Sequence, residues 1–266
     1  MFRKGPYDGS SFIELLGAEA PHLLLRITTS SEGMADLVKQ VPHGTTVVAA
    51  KYADGVLLAG DRMATEGYQV AMRNIEKVYK TDEHSAMAIA GAAGPCIEMA
   101  RLFRIELEHY EKIEGMELDL EGKANKLGQM IRQNLPMAMQ GLVVVPIFTG
   151  YDLKRNQGRI YKYDVTGGAY EEIDYYAVGS GGKDARSSLK KTYRTQATKD
   201  ELLRMVMEAL FDAADEDRGT GGVDILRGIY PTIKDVTKDG ITDIPSDRIR
   251  AVYEEIVRDR DRGEAA

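Results

Sequence analysis

Three residues could form a hydrolytic centre if the fold brought them together: Thr45 in "VPHGTTVVAA", Asp61 in "LAGDRMAT" and Lys77 in "NIEKVYK". A threonine hydroxyl is a weak nucleophile until a base takes its proton. None of the four histidines (His22, His43, His84, His109) is placed convincingly to act as that base. A free α-amine on the threonine itself would serve, because its reference pKa is about 7.7–8.0. Inside the chain Thr45 has only an amide at that position. Cleavage between Gly44 and Thr45 would create nucleophile and base on one residue, and the uncut chain would be silent. Gly44 suits such a junction, since the Thr45 hydroxyl must reach the carbonyl just behind it through a cramped geometry that a Cβ would hinder. Taken alone, the pair simply ends a loop and begins a strand. Lys77 beside the amine would lower the pKa of amine and hydroxyl, and Asp61 would hold Lys77. Without each other, Asp61 and Lys77 are ordinary solvated charges.

The elements that must position these residues begin at Thr45. "TTVVAAKYA" and "VLLAGD" are two β-type runs around Asp54-Gly55, a strong hairpin signal. Reflection through that turn sets Thr45 opposite Ala64 and leaves Asp61 about three residues short, roughly 10 Å along a strand. Further strands are expected at 74–81 and 85–91, then at "LVVVPIFTGYD", "GRIYKYD", "EEIDYYAVG" and "DILRGIY". Ile97, Ala100, Phe103, Leu107 and Tyr110 recur at helical spacing behind Pro95. Ala124, Leu127, Ile131 and Leu135 mark a second helix closed by Pro136. Two more helices are expected, one around Ala185–Lys191 and one opened by the capping pair Thr198 and Glu201. A last helix starts at Ser246.

Hairpins argue for antiparallel sheets, and helices arriving in pairs argue that each pair covers one sheet face. The expected fold class is therefore α+β, a four-layer α-β-β-α sandwich of two antiparallel sheets flanked by helix pairs. A doubly wound sheet would need one-by-one alternation, and "GAAG" and "GSGG" do not match the dinucleotide fingerprint. Residues 1–44 show no sustained period and read as an appendage.

The 266 residues suffice for one well-buried domain, and a net charge of -7 with both signs interspersed gives no basic face for nucleic acid or an anionic membrane. A single cysteine, Cys96, rules out an internal disulfide and a thiolate metal cluster within one chain, which fits a reducing compartment. The histidines lack metal-ligand spacing, and no cofactor is expected. Glu14 and Glu19 interrupt the apolar stretch near the start, against a secretory signal, and no run approaches the ~18 apolar residues of a membrane span. A cytoplasmic protein is expected.

These residues resemble the catalytic β-subunits of the 20S proteasome: Gly44-Thr45-Thr46, "DGVLLAGDRMATEG", Lys77, "AIAGAAG" with Gly91, "AVGSGG" with Ser180, and "DRGTGG" with Asp217 and Thr220. The likeness runs in order through residues 45–266 and is greatest to the actinobacterial type. It implies an N-terminal nucleophile hydrolase fold and a threonine endopeptidase, with residues 1–44 a propeptide removed by autocatalytic cleavage. Thr45 would be nucleophile and base, Lys77 would tune its amine, and Asp61 would hold Lys77. Gly91 N–H would donate to the oxyanion, and Ser180, Asp217 and Thr220 would orient the threonine terminus. Thr65, Gly91 and Ala93 would pair with an extended substrate, while Ile75, Ile89 and Ala93 would line an uncharged side pocket favouring apolar residues. Thr220 stands where the family usually has serine, and Met63 where a basic residue is common.

The implied partners are proteasome α-subunits and other β-subunits in a four-ring stack of heptamers, a regulatory ATPase ring indirectly, and unfolded polypeptide substrates. Two alternatives differ in class. A non-catalytic scaffold subunit should lack the nucleophile or the lysine, and another amidohydrolase with an N-terminal nucleophile should show a dedicated small-ligand pocket. A simpler two-ring bacterial relative has shorter subunits with almost no leader.

Overall fold

The computed structural model describes residues 11–21, 44–67 and 69–263. Strands β1 (Thr46–Tyr52) and β2 (Gly55–Gly60) form the hairpin expected from the sequence, but its two-residue loop is Ala53-Asp54, not Asp54-Gly55. Gly55 is recruited into pairing on both sides, with Tyr52 and with Thr237. The register therefore moves by two residues, and Thr46 rather than a more distant residue stands opposite Asp61, whose N–H donates to Thr46 O at 3.1 Å. That shift shortens the expected three-residue gap between Asp61 and the position facing Thr45 to one residue.

After a small hairpin of β3 (Ala64–Glu66) and β4 (Gln69–Met72) come β5 (Val78–Lys80) and β6 (Ser85–Gly91). The expected strand at 74–81 shrinks to its last part, and Lys77 sits just before β5. Strands β7 (Val144–Asp152) and β8 (Gln157–Tyr163) follow, then β9 (Ala169–Glu172) and β10 (Tyr175–Gly179). The run "EEIDYYAVG" reads as one strand, yet the chain changes sheets within it: β9 pairs with β8, and β10 pairs with β1. The strand expected at 224–230 is only a bridge between Asp224 and Ile229. Its place is taken by β11 (Thr232–Thr237) and β12 (Gly240–Asp243), a hairpin whose Asp239-Gly240 turn signal was present in the sequence.

Two five-stranded antiparallel sheets result, ordered β10-β1-β2-β11-β12 and β5-β6-β7-β8-β9. Strands alternate faces with period two, which sorts the apolar runs into separate layers. Val47, Ala49, Val56 and Leu58 of the first sheet meet Ala86, Ala88, Ala90 and Ile147 of the second. The neighbouring positions Val48, Ala50, Leu57 and Ala59 face outward onto helices. Both faces of these strands are buried, so they lack the polar alternation of a one-sided sheet.

Helices α2 (Ala93–Glu114) and α3 (Leu120–Gln133) cover the second sheet, followed by the short α4 (Leu135–Ala138), which carries Pro136 in its first turn. Phe103 of α2 meets Phe148 edge to face at 5.6 Å, and Ile97, assigned to the same face from spacing, is 46% exposed instead. On the first sheet lie α5 (Gly182–Thr192), α6 (Lys199–Glu216) and α7 (Ser246–Asp261). Leu189, Leu202, Val206, Leu210, Ile249, Val252 and Ile256 pack there. The capping box of Thr198 and Glu201 is formed. The architecture is the expected α-β-β-α sandwich.

The first 44 residues contain a helix that the absence of a long period hid. Ser11 caps α1 (Phe12–Glu19) by accepting from Glu14 N–H at 3.4 Å, and Phe12 lies 5.9 Å from the ring of His109 on α2. Ser11 and Glu14 have capping-box spacing, a signal available in the sequence. Residues 1–10 and 22–43 of the expected propeptide lie outside the described residues. Among the described residues no helix is long and apolar enough to cross a membrane.

Candidate active site

Thr45 lies one residue before β1, at the end of the sandwich where the two sheets open. Pairing of β1 with β10 extends past the strands, so that Ser180 N–H donates to Thr45 O at 2.9 Å. Thr45 Oγ1 lies 2.5 Å from Gly44 O, and Lys77 Nζ donates to the same oxygen from 3.0 Å. The hydroxyl is folded back on the carbonyl behind it, and a cation lies on that carbonyl's oxygen. Gly44 takes φ +90°, and a Cβ there would stand 2.5 Å from Thr65 Oγ1 and 2.9 Å from Gly219 O. The junction thus needs glycine for its conformation and for space.

Asp61 is fully buried at the end of β2. Its Oδ1 accepts from Lys77 Nζ at 2.7 Å and Thr46 N–H at 2.8 Å, and its Oδ2 accepts from Met63 N–H at 3.0 Å and Gly221 N–H at 2.9 Å. Four donors compensate a buried carboxylate that would otherwise be strongly disfavoured. Lys77 is equally enclosed. Burial pulls its pKa below the ordinary lysine value, and the Asp61 carboxylate partly restores it. Its ammonium faces three acceptors: Asp61 Oδ1 at 2.7 Å, Met63 O at 2.5 Å and Gly44 O at 3.0 Å. Three oxygens use three N–H donors, so the charged form of Lys77 satisfies this geometry and the neutral amine does not.

A second chain of hydrogen bonds approaches Thr45 from the other side. Thr45 N–H points to Ser180 Oγ at 3.4 Å, and Ser180 Oγ donates to Asp217 Oδ2 at 2.5 Å. Thr220 Oγ1 donates to the same Asp217 oxygen at 2.6 Å. Asp217 ends α6 as its C-cap, which fixes the carboxylate beside the β10–α5 turn carrying Ser180. Thr220 reaches Thr46 Oγ1 at 2.7 Å rather than Thr45 itself.

Gly91 ends β6 with φ +133°, and a Cβ on it would lie 2.0 Å from Val143 O. Glycine is required there by the backbone of Val143 and Val144, where β7 begins. Ile75, Ile89 and Ala93 line one narrow recess with Thr45 and Lys77. It has about 20 Å³ of room, close to the volume that one water needs. Cys96 and Tyr79 also border it, and burial pushes both up to about 12. Thr65 lies with Gly91 on a wider groove across from that recess.

Every candidate residue is brought to this one end of the sandwich. Reasoning from side-chain types missed Thr46, whose N–H and hydroxyl join the Asp61 and Thr220 networks. It also missed Met63, assigned no role, whose backbone carbonyl receives Lys77. No side-chain pattern encodes a backbone acceptor. The doubled Thr45-Thr46 was the only sequence signal for the first. Among the described residues no cluster of His, Cys, Asp and Glu could hold a metal.

Residues 41–226 match the family model for proteasome subunits. The chain is 49% identical over 255 residues to the proteasome subunit beta of Acidimicrobium ferrooxidans, covering 95% of this chain and 92% of that one. It is 50% identical over 256 residues to its counterpart in Acidothermus cellulolyticus, covering 94% and 87%. The figure for Streptomyces griseus is 48% over 263 residues, covering 97% and 92%. The chain therefore belongs to the proteasome subunit family, a family of proteases, as a β-subunit of the 20S core.

Proposed function

We propose that this chain is a catalytic threonine endopeptidase, made as a precursor and activated by its own cleavage between Gly44 and Thr45. The observation that carries this reading is the convergence on one carbonyl: Thr45 Oγ1 at 2.5 Å and Lys77 Nζ at 3.0 Å from Gly44 O. In activation, Thr45 Oγ attacks the Gly44 carbonyl carbon while the Lys77 ammonium stabilises the negative charge growing on its oxygen. The C–N bond breaks, the hydroxyl proton passes to the departing nitrogen, and an ester joins Gly44 to Thr45 Oγ. Water hydrolyses that ester, releasing the 1–44 leader as a carboxylate and leaving Thr45 with a free amine and a free hydroxyl.

The amine then serves as base for peptide substrates. Loss of the Gly44 carbonyl frees the third Lys77 N–H to face the Thr45 side chain, where a positive charge keeps the amine neutral and the hydroxyl acidic. Ser180, Asp217 and Thr220 orient the new terminus. Extended, unfolded polypeptides bind along Thr65, Gly91 and Ala93 by backbone pairing, with an apolar side chain toward Ile75, Ile89 and Ala93. The working form is a cytoplasmic stack of heptameric rings with α-subunits, served by an ATPase ring. Intact mass and N-terminal analysis after coexpression with α-subunits test the reading. A new N-terminus at Thr45 is expected, absent in Thr45→Ala; cleavage elsewhere, or peptidase activity surviving in that variant, overturns it.

A further inference from the structure

We propose that Glu76, held by Arg62 and Thr232, is a positioning residue that sets the Lys77 ammonium on the Gly44 carbonyl oxygen and so governs the rate of self-cleavage. The inference deepens the reading of Thr45 as nucleophile and rests on it. Lys77 has to act away from its own sheet. Thr45 and Asp61 flank strands of the first sheet, whereas Lys77 leads into β5 of the second. Its four-carbon stem is flexible, so the ammonium keeps its place on the Gly44 oxygen when the backbone that carries it is fixed against the first sheet.

Glu76 supplies that fixing. Residues 73–77 lie between β4 and β5 and outside any strand. Lys77 O accepts from Ile89 N–H of β6 at 3.0 Å, whereas Lys77 N–H donates to Glu76 Oε1 at 3.2 Å. Val78 N–H donates to the same oxygen, also at 3.2 Å. The second carboxylate oxygen is held from the first sheet. Thr232 opens β11 opposite Gly60 of β2, and its hydroxyl donates to Glu76 Oε2 at 3.3 Å. Arg62 Nη1 donates to Thr232 Oγ1 at 3.0 Å and Arg62 Nε to Ile75 O at 2.9 Å, while Ile75 N–H donates to Arg62 O at 2.9 Å. One carboxylate thus joins the backbone of Lys77 to the strands that carry Asp61.

Arg62 follows Asp61 and Glu76 precedes Lys77, so a buried acid–base pair is flanked by a base–acid pair nearer the surface. The two pairs act differently. Asp61 and Lys77 touch at 2.7 Å, whereas Arg62 and Glu76 are 24% and 43% exposed with their charges 3.9 Å apart. An exposed ion pair of that length contributes little. The hydrogen bonds to the backbone at 77 and 78, rather than the charge of Glu76, are therefore what hold Lys77.

The test is the rate at which the full-length chain, mixed with α-subunits, releases its leader, followed by intact mass. Glu76→Ala should slow release by about tenfold or more, since a misplacement of ~1 Å can cost about a hundredfold. Glu76→Gln keeps an acceptor for both N–H groups and should stay within about threefold of wild type, the cost of exchanging a charged acceptor for a neutral one. Thr232→Val keeps the strand's shape and should slow release about threefold, the worth of one ordinary hydrogen bond. It should add nothing in the Glu76→Ala background, whereas two independent losses would add. Ring assembly, read on native gels in a Thr45→Ala background, should be the same for all variants. Wild-type release by Glu76→Ala, equal losses in Glu76→Gln and Glu76→Ala, additive losses with Thr232→Val, or failure of Glu76→Ala to assemble overturns the inference. If the wild-type chain itself gains no N-terminus at Thr45, the nucleophile reading falls, and this inference with it.

Discussion

Lys77 and Asp61 depend on each other because neither is tolerable alone where they lie. Their side chains are 5% and 0% exposed, and removing one partner leaves an uncompensated buried charge, which typically costs about 3–5 kcal/mol. In a Thr45→Ala background, where every molecule keeps its leader, Asp61→Asn should lower unfolding stability by about that amount in urea titration. The same substitution in the wild-type background should abolish processing. The pH dependence has a definite sign. Burial depresses the Lys77 pKa in the folded state, so between that value and the unfolded reference of about 10.4 the unfolded chain binds more protons. Stability of the Thr45→Ala precursor should therefore rise with pH across that window, and Lys77→Met should remove the rise. Processing of the wild type should slow over the same window, since it uses the third N–H of the ammonium. Pulse-chase rates from neutral to alkaline pH check this.

At the scale of elements, the site depends on where strands stop. β2 ends at Gly60 and hands Asp61 to the space beneath Thr46, while β6 ends at Gly91 in a conformation open mainly to glycine. Gly91→Ala meets the Val143 carbonyl as well as an unfavourable φ, and strain of this kind costs on the order of 1–3 kcal/mol. A lowered melting temperature and loss of processing should therefore appear together, whereas a purely catalytic glycine would leave stability intact. Thermal melts of the Gly91→Ala precursor distinguish the two.

For the whole molecule, the sandwich is what brings the candidate groups together. Thr45 and Asp61 hang on the first sheet, Lys77 and Gly91 on the second, and the layer between them is built partly from the small residues Ala49, Ala86, Ala88 and Ala90. Ala88→Leu overfills that layer, and overpacking typically costs about 1–3 kcal/mol. Because the sheets must part to admit it, the 2.7 Å contact of Lys77 with Asp61 should loosen as well. Processing should fall more than for a destabilising change in the outer helical layers of equal cost, such as Leu202→Ala beneath α6. Matched stability and processing measurements on the two variants check the coupling.

Much of this was legible in the chain. Thr45 behind a glycine, a β-hairpin signal, paired amphipathic helices and the lone cysteine are local features, and local chemistry and periodicity reveal them. Three things escaped. The hairpin register depended on Gly55 being drawn into pairing with β11, far along the chain. The run 169–179 was divided between two sheets, although nothing in its apolar pattern marks a change of partner. Two of the three acceptors for Lys77 are backbone carbonyls, those of Met63 and Gly44, and every residue has one. The sequence by itself offered the candidate groups and placed Gly44 before Thr45. Only the tertiary structure decided that Lys77 reaches across from the second sheet to the Gly44 oxygen, because that contact depends on how two sheets stack, which is a property of the whole core.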